Sequence, residues 1–236
     1  MRKYCLLLIG ILCLSCSGIC FAQYSDKQLY DAYLVRDMGV WERYIASVDV
    51  DTASVDERIR LLNYEYGYVA YSISQEHSDA RALLDKFEKN LESLRDVLPE
   101  ATYMAYRCGT SSYELSLNKV RLAKYSKRIY SEIDRAMSLD PHDPLVLTMK
   151  GNVEFYGPFG DKTLALACYQ QADSVYHARH TSHYLWNVRA AQMTLVQCLE
   201  KTGQHQAAID KCHELLREEP NFHFIRDVYL PELEKK

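Results

Sequence analysis

The stretch YGPFGDKTLAL, residues 156–166, sets two glycines and a Lys162-Thr163 pair ahead of an apolar run, a composition that could cradle phosphate. A phosphate loop needs a buried strand before it and its Lys-Ser/Thr pair directly after the last glycine. Here Asp161 intervenes and would set a carboxylate beside the anion, and the preceding VLTMKGNVEFY has helical spacing. Gly160 and Asp161 suit the end of one helix and the capped start of the next. HARHTSH supplies His177, His180 and His183 at three-residue intervals, but a HExxH-like spacing with a further carboxylate or thiolate ligand is missing, so no metal site is expected. DVDTASVDE, residues 49–57, alternates carboxylates without the central glycine and closing glutamate of a calcium loop, and reads as the capped entry to a helix. No GxSxG elbow and no CxxCH site occurs. Nothing nominates a nucleophile with its base, and neither catalysis nor a cofactor is expected.

Composition limits the remaining classes. A chain of 236 residues with 48% hydrophobic and 25% charged residues can bury a substantial core. A net charge of -4, without an extended Lys/Arg run, argues against nucleic acid as a partner. Residues 1–22 carry Arg2 and Lys3, then the apolar run YCLLLIGILCLSC, then Cys20 and Ala22 ahead of Gln23, and are read as a cleaved export signal. Lipidation of Cys16 is one alternative and an uncleaved anchor another. Cleavage leaves 26 basic and 32 acidic residues, a net charge of -6, and places the mature chain in the periplasm or cell envelope. Four cysteines remain, Cys108, Cys168, Cys198 and Cys212. Each lies in an apolar helical pattern and is read as a buried thiol; a Cys198–Cys212 bond between paired helices is the alternative.

Long segments carry apolar residues three and four positions apart, as in Ala80, Leu83, Leu84, Phe87, Leu91, Leu94 and in Leu122, Tyr125, Ile129, Ile133, Ala136. The chain is therefore all-α. A 42-residue step carries Gly67 onto Gly109 and Gly151, Pro99 onto Pro141, Tyr64 onto Tyr106, and Tyr71 onto Tyr113 and Phe155. Phe87 falls on Ile129, and Leu91 on Ile133 and Val175. A fixed step in this range means stacked units, each too small to bury its own apolar face.

GNVEFYGPFGDKTLALACYQQA, Gly151 to Ala172, resembles a tetratricopeptide repeat: a small residue in the first helix, aromatics, a Gly-Asp turn, and a second helix bearing Ala165, Tyr169 and Ala172. A second copy has Leu195 and Leu199, then Gly203 in the turn, then Ala208, Cys212 and Leu215, with Pro220 after REE. The period of 42 exceeds the family's 34, and Val196 stands where the small residue is expected. The resemblance implies an α-solenoid of about four stacked hairpins over residues 57–220, with an N-terminal capping helix and loop at 23–56 and a capping helix at 221–236. It also implies a concave groove lined by the first helices, bearing Tyr64, Tyr68 and Tyr71, then Tyr106, Thr110 and Tyr113, then Asn152 and Phe155, then Gln197. Gly67 and Ala70 read as the helix-contact face beside them. The function expected on this basis is a non-catalytic adaptor of the cell envelope that holds a protein or peptide segment in a tyrosine-rich groove. A small-ligand or transport-associated binding protein using the same groove is the alternative, and it requires a closed, deep cavity.

Overall fold

The computed structural model describes residues 24–179 and 185–235. Among these residues the structure is all-helical. The helices are α1 (Asp26–Val35), α2 (Met38–Ser47), α3 (Val55–Ser74), α4 (Ala80–Ser93), α5 (Glu100–Leu117), α6 (Leu122–Leu139), α7 (Pro144–Tyr156), α8 (Lys162–Ala178), α9 (Trp186–Lys201), α10 (His205–Glu218) and α11 (Leu230–Leu233). Their starts are written in short polar side chains. Ser25 forms a reciprocal capping box with Gln28, Ser54 accepts from the Glu57 amide, and Asp143 caps α7 just ahead of Pro144. The alternating carboxylates at 49–57 belong to such an entry: Asp49 closes a turn on the Asp51 amide before Ser54 starts α3.

Four hairpins, α3–α4, α5–α6, α7–α8 and α9–α10, follow one another, with α3 against α5, α5 against α7, and α8 against α9. The predicted stripes are the contact faces. Leu84, Phe87, Leu91, Leu94, Ile133 and Ala136 are fully buried between neighbouring hairpins. The 42-residue glycine step has a packing cause. A Cβ on Gly109 would come within 2.8 Å of the Tyr66 ring, and one on Gly151 within 2.7 Å of the Tyr169 ring. On Gly67 it would meet Trp186 at 2.6 Å and Trp41 at 2.8 Å. Each of the first three hairpins thus has one helix position bare enough to receive an aromatic ring from another helix.

The ends of the array meet. The capping helix expected within 23–56 is two helices, because Arg36 turns left-handed (φ 64°) at the end of α1 and returns the chain as α2. This pair covers α3, and α1 also touches α9 of the fourth hairpin. Trp41 and Trp186 pack edge to face with centroids 5.0 Å apart, while Tyr33 lies 5.8 Å from Trp186 and 5.9 Å from Phe222. The Trp41 indole donates to the Leu29 carbonyl at 2.7 Å. Tyr30 donates its hydroxyl to Glu219 at 2.6 Å and accepts from Arg189 at 2.8 Å. After α10 the chain returns through a wide π-helical turn, Phe224–Tyr229, into α11. One side of the array's inner face is therefore closed. Among the described residues no helix is long and apolar enough to cross a membrane.

Candidate functional site

The chemistry weighed in the sequence settles into structural roles. Asp161 caps α8, accepting from the amides of Thr163 at 2.8 Å and Leu164 at 3.3 Å. The Lys162 ammonium reaches back to the Phe155 carbonyl and lies 3.4 Å from that of Glu154, so it serves the end of α7 and not an anion. A Cβ at Gly160 would sit 2.0 Å from the Glu154 carbonyl oxygen, which is why a residue without one stands there. His177 lies with Glu214 and Glu218, their ligand atoms within 4.8 Å of one another. Lys211 already pairs with Glu214 at 2.8 Å and Arg189 with Glu218 at 2.6 Å. His180 and His183 lie outside the described residues, as does Cys16 with the whole of 1–22. Cys108, Cys168, Cys198 and Cys212 are all free, buried thiols.

The first helices of the hairpins, closed off by α1, α2 and the C-terminal segment, surround a cavity of about 690 Å³. That volume falls in the range of small-molecule and cofactor sites. Helix α3 contributes Asn63, Tyr66, Gly67, Ala70, Tyr71, Ile73 and Ser74; α5 contributes Cys108, Gly109, Ser112 and Tyr113; α7 contributes Thr148, Met149, Asn152, Val153 and Tyr156; and α9 contributes Trp186, Asn187, Ala190, Ala191, Met193 and Thr194. Tyr33, Trp41, Phe222 and Phe224 line the closing side, with Ser126, Ile129 and Tyr130 of α6 and Tyr176 of α8 completing the wall. Both tryptophans of the chain are in this wall.

The wall is aromatic, flat-faced and nearly uncharged. Arg36 is the one charged side chain among the described residues that line it. The phenols of Tyr66, Tyr113 and Tyr176 are neutral at ordinary pH. Loss of water pushes Tyr66 up to about 12, although Tyr113 is a hydrogen-bonding neighbour that lowers it, and loss of water also lifts Tyr176 to about 12. Tyr113 is held well above its ordinary value, again chiefly by burial, while its hydroxyl donates to the Tyr66 carbonyl at 3.0 Å. Tyr156 is 64% accessible and opens the wall toward solvent at the end of α7, while its neighbours still raise its phenol by partial desolvation. Burial likewise pushes the Cys108 thiol well up, which removes it as a nucleophile at neutral pH. Among the described residues no carboxylate, imidazole or amine lines the wall.

Polar atoms are held at defined points behind this surface. Tyr66 donates to the Met149 sulfur at 3.2 Å, and Asn152 accepts from Tyr169 at 2.7 Å. Ser126 Oγ, Tyr130 Oη, Trp186 Nε1 and Asn187 Oδ1 are buried with no protein partner, and all four belong to lining residues. Buried polar atoms are ordinarily paired. These four atoms lie beneath the cavity surface and are not presented on it, since almost none of their own area is accessible.

Of the nine residues placed on the inner groove by the sequence, Tyr71, Tyr113 and Asn152 line the cavity. Tyr64 and Tyr68 are buried in the core shared with the N-terminal pair, Tyr64 edge-on to Trp41 at 4.9 Å. Tyr106 is buried between hairpins, and Thr110 beside it donates to the Tyr106 carbonyl at 3.1 Å. Phe155 packs against Tyr156 and Lys162 outside the lining, and Gln197 accepts from the Tyr156 hydroxyl at 3.4 Å. The inner face of α3 runs through Tyr66, Gly67 and Ala70, so Gly67 and Ala70 belong to the wall. One residue on a helix turns the direction by about 100°, enough to carry Tyr64 and Tyr68 into the core. The glycine step marks part of this face: Gly67 and Gly109 line the cavity, whereas Gly151 faces the Tyr169 ring outside the lining. The closing residues Tyr33, Trp41, Trp186, Phe222 and Phe224 leave no periodic trace, because the ends meet through contacts distant in sequence.

No family model and no curated protein matches the chain. Among solved structures it is similar to the HusA haemophore from Porphyromonas gingivalis, with a TM-score of 0.55 and 17% identity over 75% of this chain and 94% of that one. At that identity the likeness is one of fold.

Proposed function

We propose that this chain is an exported, non-catalytic binding protein that encloses one apolar, flat small molecule within its curved, tetratricopeptide-like array of hairpins. The observation that carries this reading is the aromatic cavity of about 690 Å³, nearly free of charge and closed on one side by the meeting of the array's ends. Eleven aromatic side chains among the described residues line it, offering faces on which a planar ring system can stack. The likeness to a haemophore makes an iron porphyrin the first cargo to test. The neutral phenols of Tyr66, Tyr113 and Tyr176 and the sulfurs of Met149 and Met193 fit such a cargo as contact surface.

Titrating haemin into the purified protein should quench the fluorescence of Trp41 and Trp186 with one-to-one stoichiometry. Filling the cavity with Ala70→Phe and Ala190→Phe together should weaken binding at least tenfold while the urea midpoint changes little. An absence of saturable quenching in the wild type, or equal binding by the filled variant, overturns the reading. A second reading keeps the adaptor, with a partner protein at the cell envelope docking at the turn between α7 and α8. Phe159 supports it, being 75% exposed in the lengthened GPF turn beside the lining residues Gly157 and Pro158. Phe159→Asp would separate the two, abolishing capture of a partner while leaving haemin binding unchanged.

A further inference from the structure

We infer that the molecule taken by the cavity is an amphiphile with an acidic head, whose carboxylate is received by Arg36 at the rim while the apolar body lies inside; this rests on the binding function proposed above. Among the described residues the lining contains no lysine, histidine or carboxylate, and its single charge is cationic. The chain as a whole is acidic, at -4, so a cation at this one place runs against the average. Other arginines near the array's closure are neutralised by acids: Arg60 by Asp26 and Glu57, Arg189 by Glu218 and Glu219. Arg36 has no ion pair with a described residue, and its guanidinium lies over the Phe224 ring, 5.5 Å from the centroid. Phe224 is itself a lining residue.

The position of Arg36 fits a head group. It ends α1 in the left-handed conformation, one turn beyond Tyr33, whose ring faces Trp186 across the closing side. The carbonyls at the end of a helix favour a cation there, which holds the guanidinium at the rim without a protein carboxylate to bind it. The side chain is exposed, so a carboxylate meeting it keeps part of its hydration, whereas a charged group driven deeper would find no counter-charge in the wall. Arginine's planar fork also matches a carboxylate in two-point contact.

Protoporphyrin IX and its dimethyl ester share one ring system and differ in whether the acids are free, so the pair isolates the head group. The wild type should bind the free acid about five- to tenfold tighter than the ester, in keeping with a charged contact that is partly solvated. Arg36→Gln should bring the acid down to the affinity of the ester and leave the ester unchanged, and Arg36→Lys should retain part of the preference. Ester binding by Arg36→Gln serves as the check on its fold, and the wild-type ratio of acid to ester is read without any variant. Equal binding of acid and ester by the wild type, or undiminished acid binding by Arg36→Gln, overturns the assignment of Arg36 and leaves the cavity's binding role intact. Binding of neither compound removes the binding role itself, and the head-group assignment with it.

Discussion

Helix α3 has two working faces. Leu61, Leu62, Tyr64, Tyr68 and Val69 point into packed cores and are almost wholly buried, whereas Tyr66, Gly67, Ala70 and Tyr71 border an open volume. In α5 the division runs along the helix: Ala105 and Tyr106 are buried in the core, and Ser112 and Tyr113, two turns further on, border the cavity. The outer faces hold the hairpins in order. The inner faces leave space unfilled that a protein built for stability alone would fill, since interiors otherwise pack to crystal-like density.

That division is broken most severely from the core side. Phe87 of α4 is fully buried, with its ring 6.0 Å from those of Tyr66 and Tyr106. Phe87→Ala should cost about 3–5 kcal/mol in urea unfolding, because a cavity is opened among side chains that cannot collapse into it. A cost below about 1 kcal/mol would mean that the hairpin interface already contains slack, and the contrast between the two faces would lose its basis.

The core face also holds a charge, and this supplies the next test. Glu65 is buried behind the wall, accepting from Asn90 Nδ2 at 2.9 Å, with Lys86 nearby. Loss of water raises its carboxyl to about 7, against an ordinary value of 4.5, with Asn90 and Lys86 opposing the shift. Between those values the folded protein holds the proton and the unfolded chain does not. Stability is therefore highest below about pH 4.5 for this group, falls as pH rises through the window, and is at its full penalty above about pH 7. Glu65→Gln should lift stability at pH 8 relative to wild type by on the order of 3 kcal/mol and should remove that difference near pH 4. Parallel stability-versus-pH curves for the two proteins would show that Glu65 stays ionised and solvated in the fold.

What could be read in advance follows from the range of the contacts involved. The stripe Leu84, Phe87, Leu91 repeats because successive hairpins bury equivalent helix faces, and the step Gly67, Gly109, Gly151 repeats because each glycine takes an aromatic ring, from a different helix in each case, so the hairpins and their order were legible. Helix starts at Ser54, Asp143 and Asp161 were legible because capping is local. The inner face was harder. Tyr64, Tyr66, Tyr68 and Tyr71 all sit within two turns, and composition alone does not say which of four tyrosines faces inward. Ring contacts settle it: Tyr66 lies 5.3 Å from Tyr113 across the wall, while Tyr64 is 5.3 Å from Tyr44 in the N-terminal pair. Closure left the least trace, since Trp41 and Trp186 are separated by most of the array and meet only because the stack curves.

The smallest effect is expected at that seam. Tyr30 joins α1 to the end of the fourth hairpin, its hydroxyl shared between Glu219 and Arg189, while its ring is buried outside the cavity lining. Tyr30→Phe keeps the ring and deletes the hydroxyl, and Arg189 retains Glu218 at 2.6 Å and Glu219 at 3.2 Å. The loss should be about 1 kcal/mol in unfolding free energy. Ligand dissociation should remain within twofold of wild type in stopped-flow measurements, because the aromatic contacts of Tyr33, Trp41 and Trp186 hold the wall closed without the hydroxyl. Exposed lining residues, Ser74, Ser116 and Pro158, lie at the far ends of α3, α5 and α7 and place the mouth there. Dissociation accelerated tenfold by Tyr30→Phe would instead make the α1–α9 seam the door, and the cavity would open where the two ends of the chain meet.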